Sequence, residues 1–192
     1  MTMNAKKNQP SKTDTYGKFI ESGTIRFERL LPGPVDKVWA YLTESDKRGR
    51  WLASGEMELK IGGAVKLIFN HDNLSANPDP LPEKYKDLEG ESYMEGKVTA
   101  CSPPHLLAYT WGEESGVDSE VTFELSEEES KVKLILTHRK IGDDPEQAKG
   151  IAAGWHTHLG ILVDRLAGKE PAGFWSVHMP LEEEYAKRLP KV

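Results

Sequence analysis

The sequence predicts an α+β protein in which a curved antiparallel sheet of about six or seven strands wraps around one long C-terminal helix. Two observations support this class. Short segments with alternating apolar residues, separated by turn residues, fill most of residues 24–139, a pattern typical of strands with one buried face. A single long helical pattern follows over Asp144–Gly168. Consecutive strands joined by short turns pair antiparallel, and their apolar face needs a covering layer.

The long helix has signals at both of its ends. Asp144 is a suitable N-cap, Pro145 suits the first helical position, and Gln147 completes a capping box. Gly168 easily adopts the left-handed conformation that ends a helix. Between them, one apolar stripe is expected to face the sheet, with Ala153, Thr157, Gly160 and Asp164 on the opposite side. The stripe consists of Ile151, Trp155, Leu159, Leu162, Val163 and Leu166.

The first part of the chain is predicted to contain one strand and two short helices. Met1–Tyr16 is polar and is predicted to be disordered. Thr24–Leu31 alternates and gives the first strand. After a Pro-Gly-Pro break, Pro34–Leu42 has an amphipathic helical pattern, and Ser45–Gly49 adds a second helical turn.

The remaining strands follow one another with short turns. Gly55–Ile61 and Ala64–Asn70 flank Gly62-Gly63, which is a two-residue hairpin signal. Phe69 lies on the inward face of the second of these strands. Four further strands are predicted at Glu91–Ala100, His105–Trp111, Val117–Ser126 and Lys131–Arg139.

Two segments lie outside this plan. Asp72–Gly90 is a long, Pro-rich, charged connection, and it is interpreted either as a mobile excursion or as a lid over a site. The C-terminal tail, residues 171–192, is predicted to pack a short helix, Pro180–Leu189, on the main domain of residues 17–170.

Composition excludes several classes of protein. The net charge of −6 and the absence of a basic, aromatic stripe argue against nucleic-acid binding. The sequence contains no apolar run long enough to span a membrane. The single cysteine, Cys101, excludes an internal disulfide. Together with the lack of a secretory signal pattern, it indicates a reducing, cytoplasmic location.

Two histidines are candidates for a site inside the fold. His138 ends the inward face of a strand, and His158 lies at the edge of the helix stripe. Both could line one apolar gap, where a buried imidazole can anchor a ligand or act as a general base. The alternative is that both are core histidines bonded to backbone carbonyls. His156 points away from the stripe and is expected to be in solvent.

Aromatic residues are expected to form the wall of that gap. Small-molecule sites are concave and mostly apolar, with few polar groups, although each ring could equally be a plain core residue. Trp111 and Trp155 are the strongest candidates, and Trp51 is a further aromatic of this wall. The complete set of predicted ligand-binding residues is Trp39, Phe69, Tyr109, Trp111, His138, Trp155, His158 and Leu162.

Chemistry beyond binding has little support. The histidines show no metal-binding spacing, and no phosphate loop follows Gly62-Gly63. Cys101 has no histidine at a spacing that suggests a catalytic pair. Arg29 is expected to be in solvent, although an inward Arg29 could hold a carboxylate. The sequence therefore predicts no metal, no cofactor and no catalytic residue.

Several local motifs resemble a known family. The order of elements resembles the helix-grip fold of the SRPBCC, START or Bet v 1-like superfamily, and the motifs are similar to its AHSA1-like branch, named after the activator of Hsp90 ATPase. The similarity covers roughly Thr24 to Gly168, and the GFW and EEEYAKRL segments of the tail are also similar. The motifs are VWAYLTESDKRGRWL, YMEGKVTACSPPHLLAYTW, VTFEL, KLILTHR and GWHTHLGILVDRLAG.

The resemblance implies the fold but leaves several functions open, because such folds host carriers, cyclases, hydrolases and chaperone partners. The leading hypothesis is a non-enzymatic binding protein that holds a small hydrophobic or aromatic molecule between helix and sheet, under the Asp72–Gly90 segment. The second is a module that modulates an Hsp90-type chaperone ATPase, although the separate N-terminal Hsp90-binding domain of the eukaryotic co-chaperone is lacking. The third is a cyclase or hydrolase that uses His138 or His158.

Overall fold

The computed structural model describes residues 15–112 and 119–190. Within these ranges seven strands form one sheet. The strands are β1 (Lys18–Glu21), β2 (Thr24–Pro32), β3 (Ala64–Phe69), β4 (Ser92–Ser102), β5 (Leu106–Thr110), β6 (Glu120–Glu128) and β7 (Lys131–Arg139). The α-helices are α1 (Val35–Thr43), α2 (Ser45–Arg48), α3 (Pro145–Leu166) and α4 (Phe174–Arg188), and 3₁₀ helices span His71–Leu74 and Glu83–Leu88.

The sheet is antiparallel throughout, with the strand order β1-β2-β7-β6-β5-β4-β3. β1 pairs with β2, and from β3 to β7 each strand pairs with the next strand along the chain. β2 does not pair with β3 but with the last strand, β7. The predicted class is confirmed: the protein is α+β, and a curved antiparallel sheet packs around a long C-terminal helix after two short helices.

Alternation places one face of each central strand in the core. Val121 of β6 pairs with His138 of β7, and Phe123 pairs with Leu136, so the inward residues of the two strands meet side by side. This confirms the predicted inward faces of both strands. Their buried residues are Val121, Phe123, Leu125, Val132, Leu134, Leu136 and His138. The predicted start of β6 at Val117 lies outside the described residues.

The predicted ends of α3 are confirmed. Asp144 accepts a hydrogen bond from the Glu146 N–H at 3.0 Å. Gly168 has a φ of 71°, and the Lys169 N–H bonds to the Asp164 carbonyl at 2.8 Å. This paired turn satisfies carbonyls that the helix leaves free at its end.

Part of the α3 side opposite the apolar stripe is also buried, which the amphipathic pattern did not predict. Ala153 and Thr157, on the side opposite the apolar stripe, are 0% and 2% exposed. α4 packs against α3 and adds a second covering layer to the helix.

One expectation for the N-terminal half is wrong, and one strand there was not expected. Gly55–Ile61 is not a strand and makes only isolated bridges from Ser54 and Met57 to β3. Gly55 has a φ of 109°, which breaks an extended run, and the buried Arg48 side chain donates to its carbonyl. β1 was not predicted, because its short sequence lacks a clear alternation. Of the predicted N-terminal tail, residues 1–14 lie outside the described residues.

The C-terminal helix is longer than predicted. α4 begins at Phe174 and continues through Pro180, which the sequence indicated as its start. Its first turn is capped from a distant segment, because the Ser176 N–H donates to Asp79 at 2.8 Å. A cap supplied from so far along the chain leaves no local signal.

The Asp72–Gly90 segment packs against this helix. The Ser75 hydroxyl donates to the Pro171 carbonyl at 2.9 Å, and the Ala76 N–H donates to Glu170 at 2.7 Å. The Tyr85 ring stacks on Trp175 with their centroids 4.8 Å apart. We call residues 71–90 together with α4 the annex, and the sheet together with α3 the core.

Candidate functional site

A half-open cavity of about 110 Å³ lies between α3 and the sheet. Several elements end at it: Phe69 is the last residue of β3, Trp111 directly follows β5, and Leu52 follows α2. The helix contributes one face of the wall. The lining residues are Leu52, Phe69, Trp111, Ile151, Gly154, Trp155 and His158.

Three aromatic rings define the shape of the cavity. The centroids of Trp111 and Trp155 are 4.9 Å apart, and those of Phe69 and Trp111 are 5.9 Å apart in an edge-to-face arrangement. Gly154 leaves room in front of them, because a Cβ built there would meet no atom within 4 Å. The result is a small apolar slot with aromatic walls, of a kind that suits small aromatic molecules.

His138 lies behind this wall and is fully buried. Its Nδ1 accepts a hydrogen bond from the Trp155 Nε1–H at 2.9 Å, so the proton of the neutral ring must be on Nε2. Nε2 therefore donates to the Ser119 hydroxyl at 2.6 Å. Burial lowers the pKa of His138 to about 3. Because this tautomer cannot accept the Ser119 proton, the pair is not an activated nucleophile.

His158 is the polar residue that lines the cavity. Its Nδ1–H donates to the Trp51 carbonyl at 2.7 Å, which makes Nε2 the acceptor nitrogen of the neutral ring. Burial, and to a smaller extent the neighbouring His71, lowers the pKa of His158 to about 3. The ring is thus neutral at pH 7 and offers one lone pair.

The structure brings half of the predicted site residues to this cavity: Phe69, Trp111, Trp155 and His158. Tyr109 and His138 contact Trp111 from behind, with centroid distances of 6.3 Å and 5.5 Å. Trp39 and Leu162 do not line the cavity. Trp51, also expected in the aromatic wall, is a core residue whose indole N–H donates to the Tyr41 carbonyl.

Sequence reasoning missed Leu52, Ile151 and Gly154 as lining residues. Ile151 was on the predicted helix stripe, but Leu52 lies in an irregular segment without periodicity. A glycine inside a helix costs about 1 kcal/mol relative to alanine. However, α3 also contains Gly150 and Gly160, which do not line the cavity, so this signal does not single out Gly154.

His156 is not in solvent, contrary to expectation. Its Nδ1 lies 2.9 Å from the Tyr185 hydroxyl, which also accepts the Gly17 N–H at 2.7 Å. The Tyr16 ring packs edge-on against His156 at 5.0 Å. The histidine therefore joins α3 to α4 and to the start of the described chain.

Arg29 is buried, so the expectation that it is in solvent is wrong. The alternation of β2 continues through this residue, which is only 8% exposed. Its Nη1 donates to the Glu28 carbonyl at 2.9 Å, and the guanidinium lies 5.5 Å from the centre of the Phe27 ring. Burial lowers its pKa to about 10.

The Asp72–Gly90 segment does not cover the cavity between α3 and the sheet. None of its residues lines that cavity, and it packs against α4 instead. The expectation of a lid over the helix–sheet gap is therefore wrong. His71, the first residue of the annex, lies with its ring 5.8 Å from the His158 ring, where the annex meets the core.

The described residues offer neither a metal site nor a membrane-spanning helix. Residues 15–112 and 119–190 contain no group of three or more His, Cys, Asp or Glu side chains placed to hold a metal ion. Among the helices described, none has both the length and the apolarity needed to cross a membrane.

Comparison with protein families identifies the domain. The model of the family described as activator of Hsp90 ATPase homolog 1-like protein matches residues 32–167. The chain belongs to this AHSA1-like family. The match extends from the end of β2 to the end of α3, so the AHSA1-like domain contains every residue that lines the cavity.

Solved structures agree with this assignment. The AHSA1-like chain is 41% identical to the protein encoded by gene BPP1335 from Bordetella parapertussis, with a TM-score of 0.76, covering 93% of this chain and 92% of that chain. CalU16 from Micromonospora echinospora is 23% identical, with a TM-score of 0.62 and coverages of 86% and 87%. DynU16, a protein of the dynemicin biosynthetic locus, is 17% identical, with a TM-score of 0.59 and coverages of 79% and 49%. The last two show similarity of fold alone. A comparison with curated proteins gives no significant match.

Proposed function

We propose that this AHSA1-like protein binds a small, planar, mostly apolar molecule in the cavity between α3 and the sheet. The observation that supports this is a slot of about 110 Å³ with Phe69, Trp111 and Trp155 as its aromatic walls. A cavity of about 150 Å³ is large enough for benzene in another protein. The slot therefore suits one aromatic ring that is only partly enclosed.

One polar contact would orient such a ligand. Nε2 of His158 is an acceptor, because Nδ1–H is bonded to the Trp51 carbonyl. A ligand with one hydroxyl or N–H donor, such as a phenol or an indole, would pair with this nitrogen. A purely aliphatic ligand would leave it unpaired, which costs roughly 1–3 kcal/mol for a buried group.

An enzymatic role has less support from the geometry. His138 has both ring nitrogens engaged, and its bond from Trp155 fixes the tautomer that cannot act as a base toward Ser119. Burial raises the pKa of the Cys101 thiol, which is the wrong direction for a nucleophile. A binding protein needs none of these groups to react.

The family description favours one second candidate, the modulation of an Hsp90-type chaperone ATPase. This role needs a surface for the chaperone and makes no use of the cavity. Addition of the protein to the chaperone of the same organism, with ATP hydrolysis as the readout, tests it directly. An unchanged rate at saturating protein would exclude this candidate without affecting the first.

The cavity proposal is tested by titration of the full chain with phenol and with indole, followed by NMR. We expect the indole N–H signals of Trp111 and Trp155 to shift with each ligand and to shift much less with cyclohexanol. Gly154→Leu should block binding, since its side chain would enter the slot. Gly160→Leu is the matched control, because Gly160 also lies on α3 with open space around its Cβ but does not line the cavity.

The outcomes separate clearly. Saturable shifts in the wild type and in Gly160→Leu, absent in Gly154→Leu, support binding in the slot. A Kd of about 1 mM already corresponds to weak binding. If neither aromatic ligand causes shifts at about this concentration, the proposal is overturned. Equal binding by the two leucine variants would place the ligand elsewhere and would overturn it as well.

A further inference from the structure

The annex contains a second, larger cavity that is separate from the slot in the core. It measures about 360 Å³ and lies between the 71–90 segment and the start of α4. This volume falls in the range of about 300–1,000 Å³ that is usual for small-molecule sites. Its residues are absent from the lining of the core slot. The two cavities therefore need separate explanations.

The base of this annex cavity is a rigid aromatic surface. Trp175 lines it and is only 4% exposed. Its ring stacks on Tyr85 at 4.8 Å and contacts His71 at 5.0 Å and Phe174 at 4.9 Å. The walls add aliphatic surface, including Leu81. An indole held on three sides keeps its orientation without a ligand, so the surface is preorganised.

Tyr85, which supports the indole, is itself held by a polar network. Its hydroxyl donates to the buried carboxylate of Glu182 at 3.1 Å, and Nε2–H of His178 donates to the same hydroxyl oxygen at 3.1 Å. Lys84 forms an ion pair with Glu182. Burial alone would raise the pKa of Glu182, but these partners lower it below its ordinary value.

The cavity carries negative charge on its walls. Asp72, Asp79 and Glu89 line it, and its lining includes no lysine or arginine. Across the described parts of the chain, no lysine or arginine forms an ion pair with these three carboxylates. Asp79 accepts the Ser176 N–H at the start of α4, while Asp72 and Glu89 remain exposed to a ligand.

His71, the remaining titratable group of the cavity, does not offset this charge. Burial lowers its pKa to about 4, so the ring is neutral at pH 7. The lining thus combines three carboxylates with the indole of Trp175, and neutral groups make up the rest.

We propose that the annex cavity binds an organic cation, that is, an ammonium group attached to an apolar body about the size of one ring. A cation is attracted by the carboxylates, and an aromatic ring such as Trp175 adds attraction for a cation that lies over it. The aliphatic walls and the volume of about 360 Å³ provide room for the apolar body. A neutral molecule of the same shape would not be attracted by the carboxylates, and an anionic one would be repelled by them.

Benzyltrimethylammonium is a suitable probe, because its charge does not change with pH. We expect it to shift the Trp175 indole N–H signal of the full chain in an NMR titration, and we expect benzyl alcohol and phenylacetate not to do so. Added salt should weaken the binding, because the carboxylates lie at the surface. Calcium chloride is titrated separately as a test for a simple metal site.

Charge-neutral variants sharpen the test. The double variant Asp72→Asn with Glu89→Gln should weaken binding of the probe about tenfold, since two nearby charges are removed. Asp87→Asn is the matched control, because Asp87 lies in the same segment, is exposed and does not line the cavity. The affinity of this control should stay within about twofold of the wild type.

Three results would overturn the proposal. These are binding of benzyl alcohol as tight as that of the cation, an unchanged affinity in the double variant, and displacement of the probe by micromolar calcium. The test is independent of the proposed function of the core slot. Gly154→Leu, which blocks that slot, should bind benzyltrimethylammonium with unchanged affinity.

Discussion

The core and the annex are held together by different interactions. In the core, alternating apolar residues of the strands meet the apolar stripe of α3, and the buried histidines have neutral hydrogen-bond partners. In the annex, contacts between aromatic rings are joined to a buried carboxylate, Glu182, and to helix capping by Asp79. Polar partners in the annex come from parts of the chain about a hundred residues apart.

This difference shows how the sequence encodes each region. An apolar face is encoded by local spacing, because every second or every third and fourth residue must point inward. A polar network is encoded by pairs such as Tyr85 with Glu182, and neither member indicates its partner. We expect the core to set global stability and the annex to open locally, as a less stable cooperative unit.

The largest expected effect is acid unfolding, in which the two regions act together. Burial holds the pKa of His138 and His158 at about 3 and that of His71 and His178 at about 4. The unfolded chain binds these protons near pH 6.5, so their contribution to stability is complete above that pH and falls as the pH drops toward the folded-state values. Each histidine changes the free energy of unfolding by roughly 1.4 kcal/mol per pH unit in that window.

Urea unfolding at a series of pH values measures this slope. We expect the free energy of unfolding to fall steeply from about pH 6 to about pH 4, with more than one proton taken up on unfolding. Equal stability at pH 7 and pH 5 would contradict the assignment of neutral, buried histidines in both regions.

The next largest effect is expected for Trp155→Ala in the core. The ring is 3% exposed, packs on Trp111 and Phe123, and donates to His138. Truncation of a buried tryptophan costs about 3–5 kcal/mol, and the unpaired His138 nitrogen adds to this loss. Denaturant unfolding monitored by circular dichroism gives the value. Trp39→Ala, at a partly exposed ring, should lower the free energy of unfolding clearly less. Equal losses for the two variants would contradict the importance given to burial and hydrogen bonding of Trp155.

Much of the core could be predicted from the sequence, whereas the annex could not. The inward faces of β6 and β7 and both ends of α3 follow from local patterns. Four predicted residues meet at the slot: Phe69 and Trp111 lie at the ends of β3 and β5, and Trp155 and His158 lie on the side of α3 that faces the cavity. Gly55 ended a predicted strand through its positive φ, which alternation does not reveal. Pro180 was interpreted as a helix start because the distant cap from Asp79 has no signature in the tail.

Glu182→Gln in α4 should destabilise the annex and leave the core almost unchanged. The carboxylate accepts from Tyr85 and pairs with Lys84, and the loss of a hydrogen bond to a buried charged group costs about 2 kcal/mol. We expect faster hydrogen exchange of α4 amides with little change in β6 and β7. Glu184→Gln is the control, because it removes only a surface pair with Lys187 and should have almost no effect. A parallel increase of exchange in the sheet would show that annex and core unfold as one unit.

The smallest effect concerns the contact between Gly173 and Asp79. A Cβ built on Gly173 would clash with Oδ2 of Asp79, the same oxygen that accepts the Ser176 N–H. Gly173→Ala must therefore displace the carboxylate and remove the cap of α4, at a cost of about 1 kcal/mol. Asp79→Ala should cost a similar amount, and the double variant should cost little more than either, since both remove one interaction. Gly160→Ala, where the new Cβ meets nothing within 4 Å, should instead stabilise α3 by about 0.5–1 kcal/mol. If the effects of Gly173→Ala and Asp79→Ala were fully additive, the two residues would act separately, and the annex would not depend on this distant cap.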